Sequence, residues 1–217
     1  DPNSDLNAVL NLPLIQDTLA IRAVIYNDRR GGYIDNVPAT FTRKASDLGI
    51  YYANNPGGGV PANAPVINNN AIAGRAINPV TYQGTRLSAL YQINDNWNIL
   101  VAQTYQDMDS QGVFYQMPYS SDGVKLQDRE VTLFNNAYDK DKFENTAWTV
   151  NGKIGFLKAV YTGAYLVRHV NQVGDYTNYA RGFYADSYQC YGPSKSNPNL
   201  TSTCYSPSAI WQEQERN

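Results

Sequence analysis

Apolar and polar residues alternate along several stretches of this chain, whereas the three- to four-residue spacing of an amphipathic helix is scarce. In residues 19–26 every odd position is apolar, and Arg22 lies on the opposite side. Residues 85–92 repeat the pattern, with Arg86 opposite Leu87. Because successive side chains of a strand point to opposite faces, the alternation predicts strands with one apolar and one polar face. The fold class that it indicates is all-β.

Turn residues between such stretches predict two hairpins. The stretch 85–92 and residues 97–105 flank the triplet Asn94-Asp95-Asn96. Residues 146–150 and 158–168 flank Asn151-Gly152-Lys153, and Asn-Gly is a strong signal for a tight hairpin turn. Each hairpin is expected to be antiparallel.

The connections between predicted strands are alternately short and long. A strand over residues 7–12 is expected to end at Pro13 and to turn into residues 19–26. Short turns are predicted near residues 13–17, 93–96 and 151–155, and long irregular segments near 28–80, 107–142 and 172–210. Loops beyond about 15 residues are uncommon in compact soluble domains. Antiparallel up-and-down strands within a large transmembrane β-barrel explain this alternation, because such barrels have tight turns at one end and long extracellular loops at the other. A soluble β-sandwich is the alternative, and it explains the strands but not the loops.

A barrel also assigns the two faces of the strands. Polar residues expected to face a wet lumen are Arg22, Arg86, Gln92 and Lys158. Apolar residues expected to face lipid are Leu19, Ile21, Ile25, Leu87, Ile99, Val101 and Tyr161. Aromatic residues near strand ends, where an interfacial girdle is expected, are Tyr26, Tyr91, Trp97 and Tyr105.

Composition narrows the function classes. Only 17% of the residues are charged, against about 25% in an average soluble domain, so a charge-driven disordered chain is excluded. Tyr, at 18, outnumbers Phe at 6 and Trp at 3 together, so most aromatic side chains carry a hydroxyl. The net charge of -2 gives no general attraction to phosphate backbones, and nucleic acid is not expected as a partner.

The two cysteines, Cys190 and Cys204, lie in a stretch rich in Ser, Pro, Asn and Tyr. No His residues lie nearby to complete a metal site, so the spacing favours a disulfide that closes a loop in an oxidising compartment, with two free thiols as the alternative. The chain has no run of 18 apolar residues. It opens at Asp1-Pro2-Asn3-Ser4, and we expect any secretory signal to have been removed.

Catalytic arrangements are poorly represented. The single histidine, His169, lies at a predicted strand end without a partner positioned for general-base catalysis. Residues 139–144 carry alternating acids as a calcium loop does, but they lack its central Gly and closing Glu, so they are interpreted as a solvated strand entrance. The sequence therefore predicts no enzyme activity, no metal and no cofactor.

Several short motifs together resemble one known family. Residues 12–22, Leu-Pro-Leu-Ile-Gln-Asp-Thr-Leu-Ala-Ile-Arg, followed by Arg29-Arg30-Gly31-Gly32-Tyr33-Ile34-Asp35-Asn36-Val37, resemble the early barrel region of TonB-dependent outer-membrane receptors. The stretches 84–91 and 96–99 are similar to the hairpin that follows in such receptors, and the Cys190 to Cys204 loop is similar to a Cys-bearing extracellular loop.

The resemblance implies a receptor fragment. Such receptors have a plug domain and a barrel of about 22 strands, whereas residues 1–217 supply about six strands and the start of a seventh, with the plug and remaining barrel absent. The implied function is uptake of a scarce nutrient such as a ferric chelate or a sugar. The implied partners are outer-membrane lipid, the TonB system acting through the missing plug, and the small-molecule nutrient. The implied location is the bacterial outer membrane, or the outside of the cell after shedding as a fragment.

The resemblance also gives the arginines and tyrosines of the long segments a candidate role. Arg29 and Arg30 become candidate contacts for an anionic ligand such as a ferric chelate, because guanidinium groups bind carboxylate and phosphate in a bidentate manner. Tyrosines that could line a recognition surface are Tyr51, Tyr52, Tyr115, Tyr119, Tyr184 and Tyr188. The alternative interpretation is a loop stem for the arginines and packing between loops for the tyrosines.

Two further functions are consistent with the sequence. A β-rich fragment separated from its receptor would have open strand edges, and self-association into a structural or cross-β fibre is the alternative function. A soluble carbohydrate-binding sandwich is the third hypothesis.

Overall fold

The computed structural model describes residues 1–42, 66–177 and 210–216, together with the backbone of Cys190–Tyr191 and Thr203–Cys204. These residues form strands, turns and irregular segments without any helix, so the all-β prediction is confirmed. None of them belongs to a helix long and apolar enough to cross a membrane. The strands of the described residues are β1 (Ser4–Ile15), β2 (Leu19–Arg30), β3 (Asp35–Asn36), β4 (Thr40–Phe41), β5 (Ile67–Asn68), β6 (Val80–Asn94), β7 (Trp97–Gln111), β8 (Glu130–Val131), β9 (Tyr138–Ile154), β10 (Leu157–Asp175), β11 (Cys190–Tyr191), β12 (Thr203–Cys204) and β13 (Ile210–Arg216).

Seven strands form one large sheet. Its order is β1-β2-β6-β7-β9-β10-β13, and every neighbouring pair is antiparallel. The spatial order follows the chain order, so the sheet runs up and down as expected. The sheet is not closed, because β1 and β13 each pair on one side only among the described residues.

The two ends of the sheet differ. The turns 16–18, 95–96 and 155–156 lie at one end, called here the turn end. The connections 31–79, 112–137 and 176–209 leave from the other, called the loop end. The predicted alternation of short and long connections is therefore confirmed.

One predicted turn is wrong. Asn151 and Gly152 lie inside β9, and the chain reverses at residues 155–156, where Gly155 has a positive φ of 61°. Gly152 is paired with Trp97 across the sheet, and a Cβ at this position would overlap the Trp97 ring. Glycine is required here for close packing, so the Asn-Gly signal indicates the wrong place for the turn.

The predicted end of the first strand at Pro13 is also wrong. β1 continues through Pro13 to Ile15, with an irregular register between these two residues. Proline is tolerated because β1 is an edge strand, where its missing N–H costs no pairing within the sheet.

Register assigns each side chain to one of two faces, because directly paired residues lie on the same face. All four residues predicted for the wet side share one face, called here the polar face: Arg22, Arg86, Gln92 and Lys158. All seven residues predicted for the lipid side share the other, called the apolar face: Leu19, Ile21, Ile25, Leu87, Ile99, Val101 and Tyr161. The separation into two faces is confirmed.

The aromatic residues assigned to an interfacial girdle do not all share one face. Tyr91, Trp97 and Tyr105 lie on the apolar face, whereas Tyr26 lies on the polar face. Tyr26 is paired with Gly84 and donates a hydrogen bond from its hydroxyl to Oε1 of Gln106 at 2.7 Å. Its assignment to the girdle is therefore wrong.

Each of the four glycines of the sheet is paired with a large aromatic residue. At Gly174, paired with Trp211, a Cβ would meet only Tyr176 at 3.8 Å, whereas the ring covers the glycine in the other three pairs. These three pairs are Gly84 with Tyr26, Gly152 with Trp97, and Gly163 with Trp148. In each, a Cβ built on the glycine would lie too close to the ring, at 2.6 Å from Cζ2 of Trp148 in the case of Gly163. The ring occupies the space that a side chain would take, so each of the three pairs locks its two strands in register.

The described residues of the first two long connections pack against one another. Residues 31–42, 66–79 and 112–137, called here the loop cap, contain a parallel pairing of β3 with β8 and an antiparallel pairing of β4 with β5. Five of their buried apolar residues form a small core: Ile34, Val113, Val131, Leu133 and Ala137. Apart from these two-residue strands the segments are irregular, as expected, and they bury apolar side chains against one another.

The Gly-Gly-Tyr-Ile-Asp-Asn motif has a structural role in this cap. A Cβ at Gly32 would overlap the carbonyl of Ala76, so glycine permits the close approach of the two segments. Ile34 is buried in the cap core, and Oδ1 of Asp35 accepts a hydrogen bond from the Ala76 N–H at 2.9 Å.

Asn36 joins three segments of the loop cap. Its Oδ1 accepts a hydrogen bond from the Leu133 N–H at 2.7 Å, and its Nδ2 donates to the carbonyls of Ile72 and Leu133 at 3.1 and 3.2 Å. Nδ2 of Asn69 also donates to Oδ1 of Asn36, at 3.3 Å. Buried asparagines thus replace the regular pairing that these loops lack.

We expect Gly163→Ala to destabilise the sheet by about 1–3 kcal/mol, because the added Cβ overlaps the Trp148 ring and forces strain. Gly174→Ala is the matched control in the same strand, because its Cβ would meet Tyr176 only at an ordinary 3.8 Å. Urea unfolding midpoints measure both variants. Adding Trp148→Leu should recover part of the loss, and equal stability of the two alanine variants would contradict the locking role.

We expect Asn36→Ala to reduce the hydrogen-exchange protection of the Leu133 amide at least about tenfold, because a buried N–H then loses its acceptor. Asn70→Ala is the control, since Asn70 is an exposed asparagine of the same cap. Native-state hydrogen exchange measures the Leu133 amide in both variants. Unchanged protection in Asn36→Ala would show that the cap does not depend on this side chain.

Candidate ligand pocket at the loop end

A pocket of about 480 Å³ lies between the polar face and the loop cap. The sheet supplies Arg30, Val80, Tyr82, Met108, Ser110 and Asp139, and the cap and its entry supply Gly31, Tyr33, Asn78 and Phe114. This volume is within the range of small-molecule sites, which is about 300–1,000 Å³. The pocket therefore combines a strand floor with walls from all three segments of the loop cap.

The floor of the pocket is set by register. Arg30, Val80, Ser110 and Asp139 are successive partners across β2, β6, β7 and β9, so they form one row on the polar face. Tyr82 and Met108 are paired in the next row towards the turn end. Val80 and Ser110 are buried.

Arg30 is already engaged by its own strand. Its Nε and Nη2 both contact Oδ2 of Asp28, at 3.0 and 2.9 Å. Its guanidinium carbon lies 5.2 Å from the centroid of the Tyr82 ring, in a cation–π contact. Asp28 thus neutralises the positive charge that Arg30 brings to the pocket.

Asp139 contributes the acidic group of the floor. Its Oδ1 is shielded from solvent and has no hydrogen-bond partner. Burial raises the pKa of the Asp139 carboxyl, the charge of Asp141 raises it further, and Arg168 lowers it. Arg168 itself is committed to Asp141, with Nε 2.9 Å from Oδ1.

Asn78 supplies an amide in the wall of the pocket and is 1% exposed. Its Oδ1 accepts hydrogen bonds from the backbone N–H groups of Tyr33 and Ile34, at 2.7 and 2.8 Å. Its Nδ2 is buried and has no partner. Because the two backbone bonds hold the oxygen, the orientation of the unpaired donor is fixed as well.

Two aromatic rings complete the wall. Tyr33 and Phe114 meet edge to face, with ring centroids 6.5 Å apart and an interplanar angle of 63°. Both side chains are exposed. They present apolar ring surface next to the unpaired amide and carboxyl groups.

The predicted ligand-binding residues are distributed over several places. Arg30 lines the pocket, whereas Arg29 is paired with Ser4 and Thr81 on the apolar face, so the two arginines point to opposite sides of the sheet. Tyr115 and Tyr119 lie in the loop cap, are exposed and do not line the pocket. The remaining four, Tyr51, Tyr52, Tyr184 and Tyr188, lie outside the described residues.

The backbone of the two cysteines bears on the predicted disulfide. β11 and β12 are antiparallel, and Cys190 is paired directly with Cys204. Directly paired residues have Cα atoms about 4.5–5.5 Å apart, which lies within the range that a disulfide spans. The disulfide stays a prediction that this register favours.

Other candidate chemistry is limited in the described part of the chain. No group of three or more His, Cys, Asp or Glu residues there is arranged to hold a metal ion. The alternating acids of residues 139–144 fall inside β9, where Asp141 binds Arg168 and Lys142 lies 3.0 Å from Asp107. His169 is paired with Lys142 and Arg216 on the apolar face.

A larger concave region of about 650 Å³ lies further towards the turn end, lined by strand residues that include Arg22, Arg86 and Leu100. It has no wall from the loop cap. The pocket under the loop cap is the better ligand site, since it has walls on two sides and unpaired polar groups.

The sequence did not single out the decisive pocket residues Tyr33, Asn78 and Phe114 as a site. Tyr33 lies within the Gly-Gly-Tyr motif, and this motif is a signal by which sequence reasoning could find it. Asn78 and Phe114 are distant in sequence and meet Tyr33 only through the packing of the loop cap.

Comparison of this chain with protein-family models, with curated proteins and with solved structures finds no match. The function is therefore inferred from the arrangement of the chain's own residues, above all from the two faces of the sheet and the pocket at its loop end.

Proposed function

We propose that this chain forms part of the wall of a TonB-dependent outer-membrane receptor that takes up a scarce small-molecule nutrient. In this proposal the apolar face contacts lipid and the loop end faces the outside of the cell. The plug, through which the TonB system acts, and the rest of the barrel belong to residues beyond these 217. The observation that carries the proposal is the large sheet, of which one face exposes apolar side chains across every long strand, while the other carries Arg22, Arg86 and Lys158 among exposed apolar residues such as Leu90 and Leu166.

The apolar face has the character expected of a lipid contact. Large apolar side chains remain exposed on it across the sheet, including Leu10 of β1, Leu87 of β6 and Tyr161 of β10. A soluble sandwich would cover these residues with a second layer. Towards the loop end the same face becomes charged, with the pairs Asp107–Lys142 and Asp109–Lys140. The apolar region is thus a band that ends before the loop cap.

Strand length supports the same interpretation. The six long strands have 12 to 19 residues. A tilted strand needs about 9–11 residues to cross the hydrocarbon core of a bilayer. The excess carries the loop cap and its pocket, including Asp139, beyond the apolar band.

The open edges of the sheet indicate that further strands pair with it, and its polar face indicates a plug inside the barrel. Unpaired backbone groups at β1 and β13 would each cost several kcal/mol in lipid, so a membrane protein must pair them. Arg22 and Arg86 form no ion pair with a described residue. A polar or acidic surface inside the barrel would supply their partners.

Two leucines of β6 provide a matched test. Leu87 is 56% exposed on the apolar face, and Leu90 is 43% exposed on the polar face. We expect Leu87→Arg to destabilise the protein in phosphatidylcholine vesicles by about 2–4 kcal/mol, because it places a charge in lipid. Leu90→Arg should change stability by less than about 1 kcal/mol, since its side chain meets water. Denaturant unfolding of the reconstituted protein measures both. If both variants changed stability equally and the protein stayed in the aqueous fraction, the membrane assignment would be refuted.

The open edge of β1 also favours the second candidate, self-assembly into a fibre. β1 pairs on one side only and carries exposed apolar side chains, among them Leu6 and Leu12. If this function is correct, concentrated protein without lipid should give fibres with a reflection at about 4.7 Å. A monodisperse monomer in solution under the same conditions would argue against it.

A further inference from the structure

We propose that the pocket under the loop cap binds a neutral carbohydrate rather than an anionic ferric chelate. The inference rests on the proposed receptor function, because a nutrient reaches this pocket only if the loop end faces the outside. It goes further by naming the class of ligand from the chemistry of the pocket.

The charges of the pocket do not favour an anion. Among the described residues that line it, Arg30 is the only basic one. Two of its nitrogens contact Asp28, and its guanidinium carbon lies over the Tyr82 ring. Arg29, which could have formed a second cationic contact, lies on the opposite face of the sheet. Asp139 adds an acidic group to the floor. An anionic chelate would therefore meet one neutralised arginine and one carboxyl group.

The unpaired polar atoms match a hydroxyl group. Nδ2 of Asn78 is a donor without an acceptor, and Oδ1 of Asp139 is an acceptor without a donor. Both atoms are closed to solvent in the structure, and a buried polar group left unpaired costs about 1–3 kcal/mol, so a small movement that lets a ligand hydroxyl reach them is favoured. A sugar hydroxyl donates and accepts at the same oxygen, so hydroxyl groups suit an amide donor as well as a carboxylate acceptor. The ligand that these two atoms specify is uncharged and polyhydroxylated.

The aromatic walls match the other side of a sugar ring. Tyr33 and Phe114 expose ring surface to the pocket, and Met108 and Val80 make part of the floor apolar. A pyranose has a face of C–H groups that packs on such surfaces while its hydroxyls point outward to polar groups. The pocket thus offers apolar and polar surface in the combination that a saccharide requires.

The pocket is held in shape before a ligand arrives. The Asn78 side chain fixes the Tyr33 and Ile34 backbone, and the strand floor is fixed by register. Little ordering is then required on binding, which favours affinity for a small ligand.

The test is binding of the purified protein to an array of neutral oligosaccharides. The protein is kept in micelles of an amine oxide detergent, because detergents with sugar headgroups would compete. Ferric citrate serves as the anionic probe. The affinity for the strongest glycan is then measured by isothermal titration calorimetry. Binding in micelles needs neither a bilayer nor energised uptake, so this test is independent of the Leu87→Arg test of the receptor wall.

Two variants locate the bound glycan. Asn78→Asp keeps the oxygen that accepts from Tyr33 and Ile34 but removes the unpaired donor, and we expect at least about tenfold weaker binding. Phe114→Ala removes one aromatic wall and should weaken binding by a similar factor. Tyr119→Ala is the control for Phe114→Ala: Tyr119 is 58% and Phe114 53% exposed in the same cap, but Tyr119 does not line the pocket. Hydrogen exchange of the Tyr33 and Ile34 amides reports whether Asn78→Asp keeps the cap folded.

The outcomes separate the two proposals. A neutral glycan that binds, with affinity lowered by Asn78→Asp and Phe114→Ala but not by Tyr119→Ala, supports the inference. The inference would be overturned if the protein bound no neutral glycan on the array, or if both pocket variants left glycan binding unchanged. It would also be overturned if the protein bound ferric citrate and Arg30→Gln abolished that binding. Glycan binding combined with equal effects of Leu87→Arg and Leu90→Arg would reject the receptor wall while keeping the pocket.

Discussion

The register between neighbouring strands is the constraint on which the rest of this structure depends. A shift of one residue in any pair would move a whole set of side chains to the other face. Arg30 and Asp139 would then leave the pocket, and Arg22 would enter the apolar face. Aromatic–glycine pairs fix this register between β2 and β6, β7 and β9, and β9 and β10, because in each the ring occupies the space above a position that lacks a side chain. The apolar band and the pocket floor both follow from the same ladder.

The strands could be predicted from sequence because the information is local. Alternation over residues 19–26 or 85–92 is visible within one segment, and it assigned Arg22 and Leu87 to the correct faces. Local signals failed where a distant residue decided the outcome. Asn-Gly at 151–152 has the local form of a turn, but Trp97 requires the glycine inside the strand. Pro13 is likewise accepted inside β1 because, among the described residues, no strand pairs with the outer side of β1.

The candidate site was less accessible to sequence reasoning, since its walls are assembled from separate segments. Arg30 was identified through its chemistry, but the sequence could not show that Asp28 and Tyr82 already engage it. Asn78 carries no motif. Its importance lies in two backbone hydrogen bonds to residues more than 40 positions away, a feature that only the folded cap reveals. Abundant asparagine was evident from composition, but the composition did not assign it the role of joining loops.

Asn36 has a consequence for how such a binding site could diversify. Surface loops usually vary freely between related proteins, because each tolerates insertion without affecting the others. Here Asn36 ties the first loop to Ile72 and, 97 positions along the chain, to Leu133. A change of length in one segment would have to be matched by the others. Ligand preference would then evolve by replacing single side chains at the rim, such as Tyr33 and Phe114, while the linked loops keep their lengths.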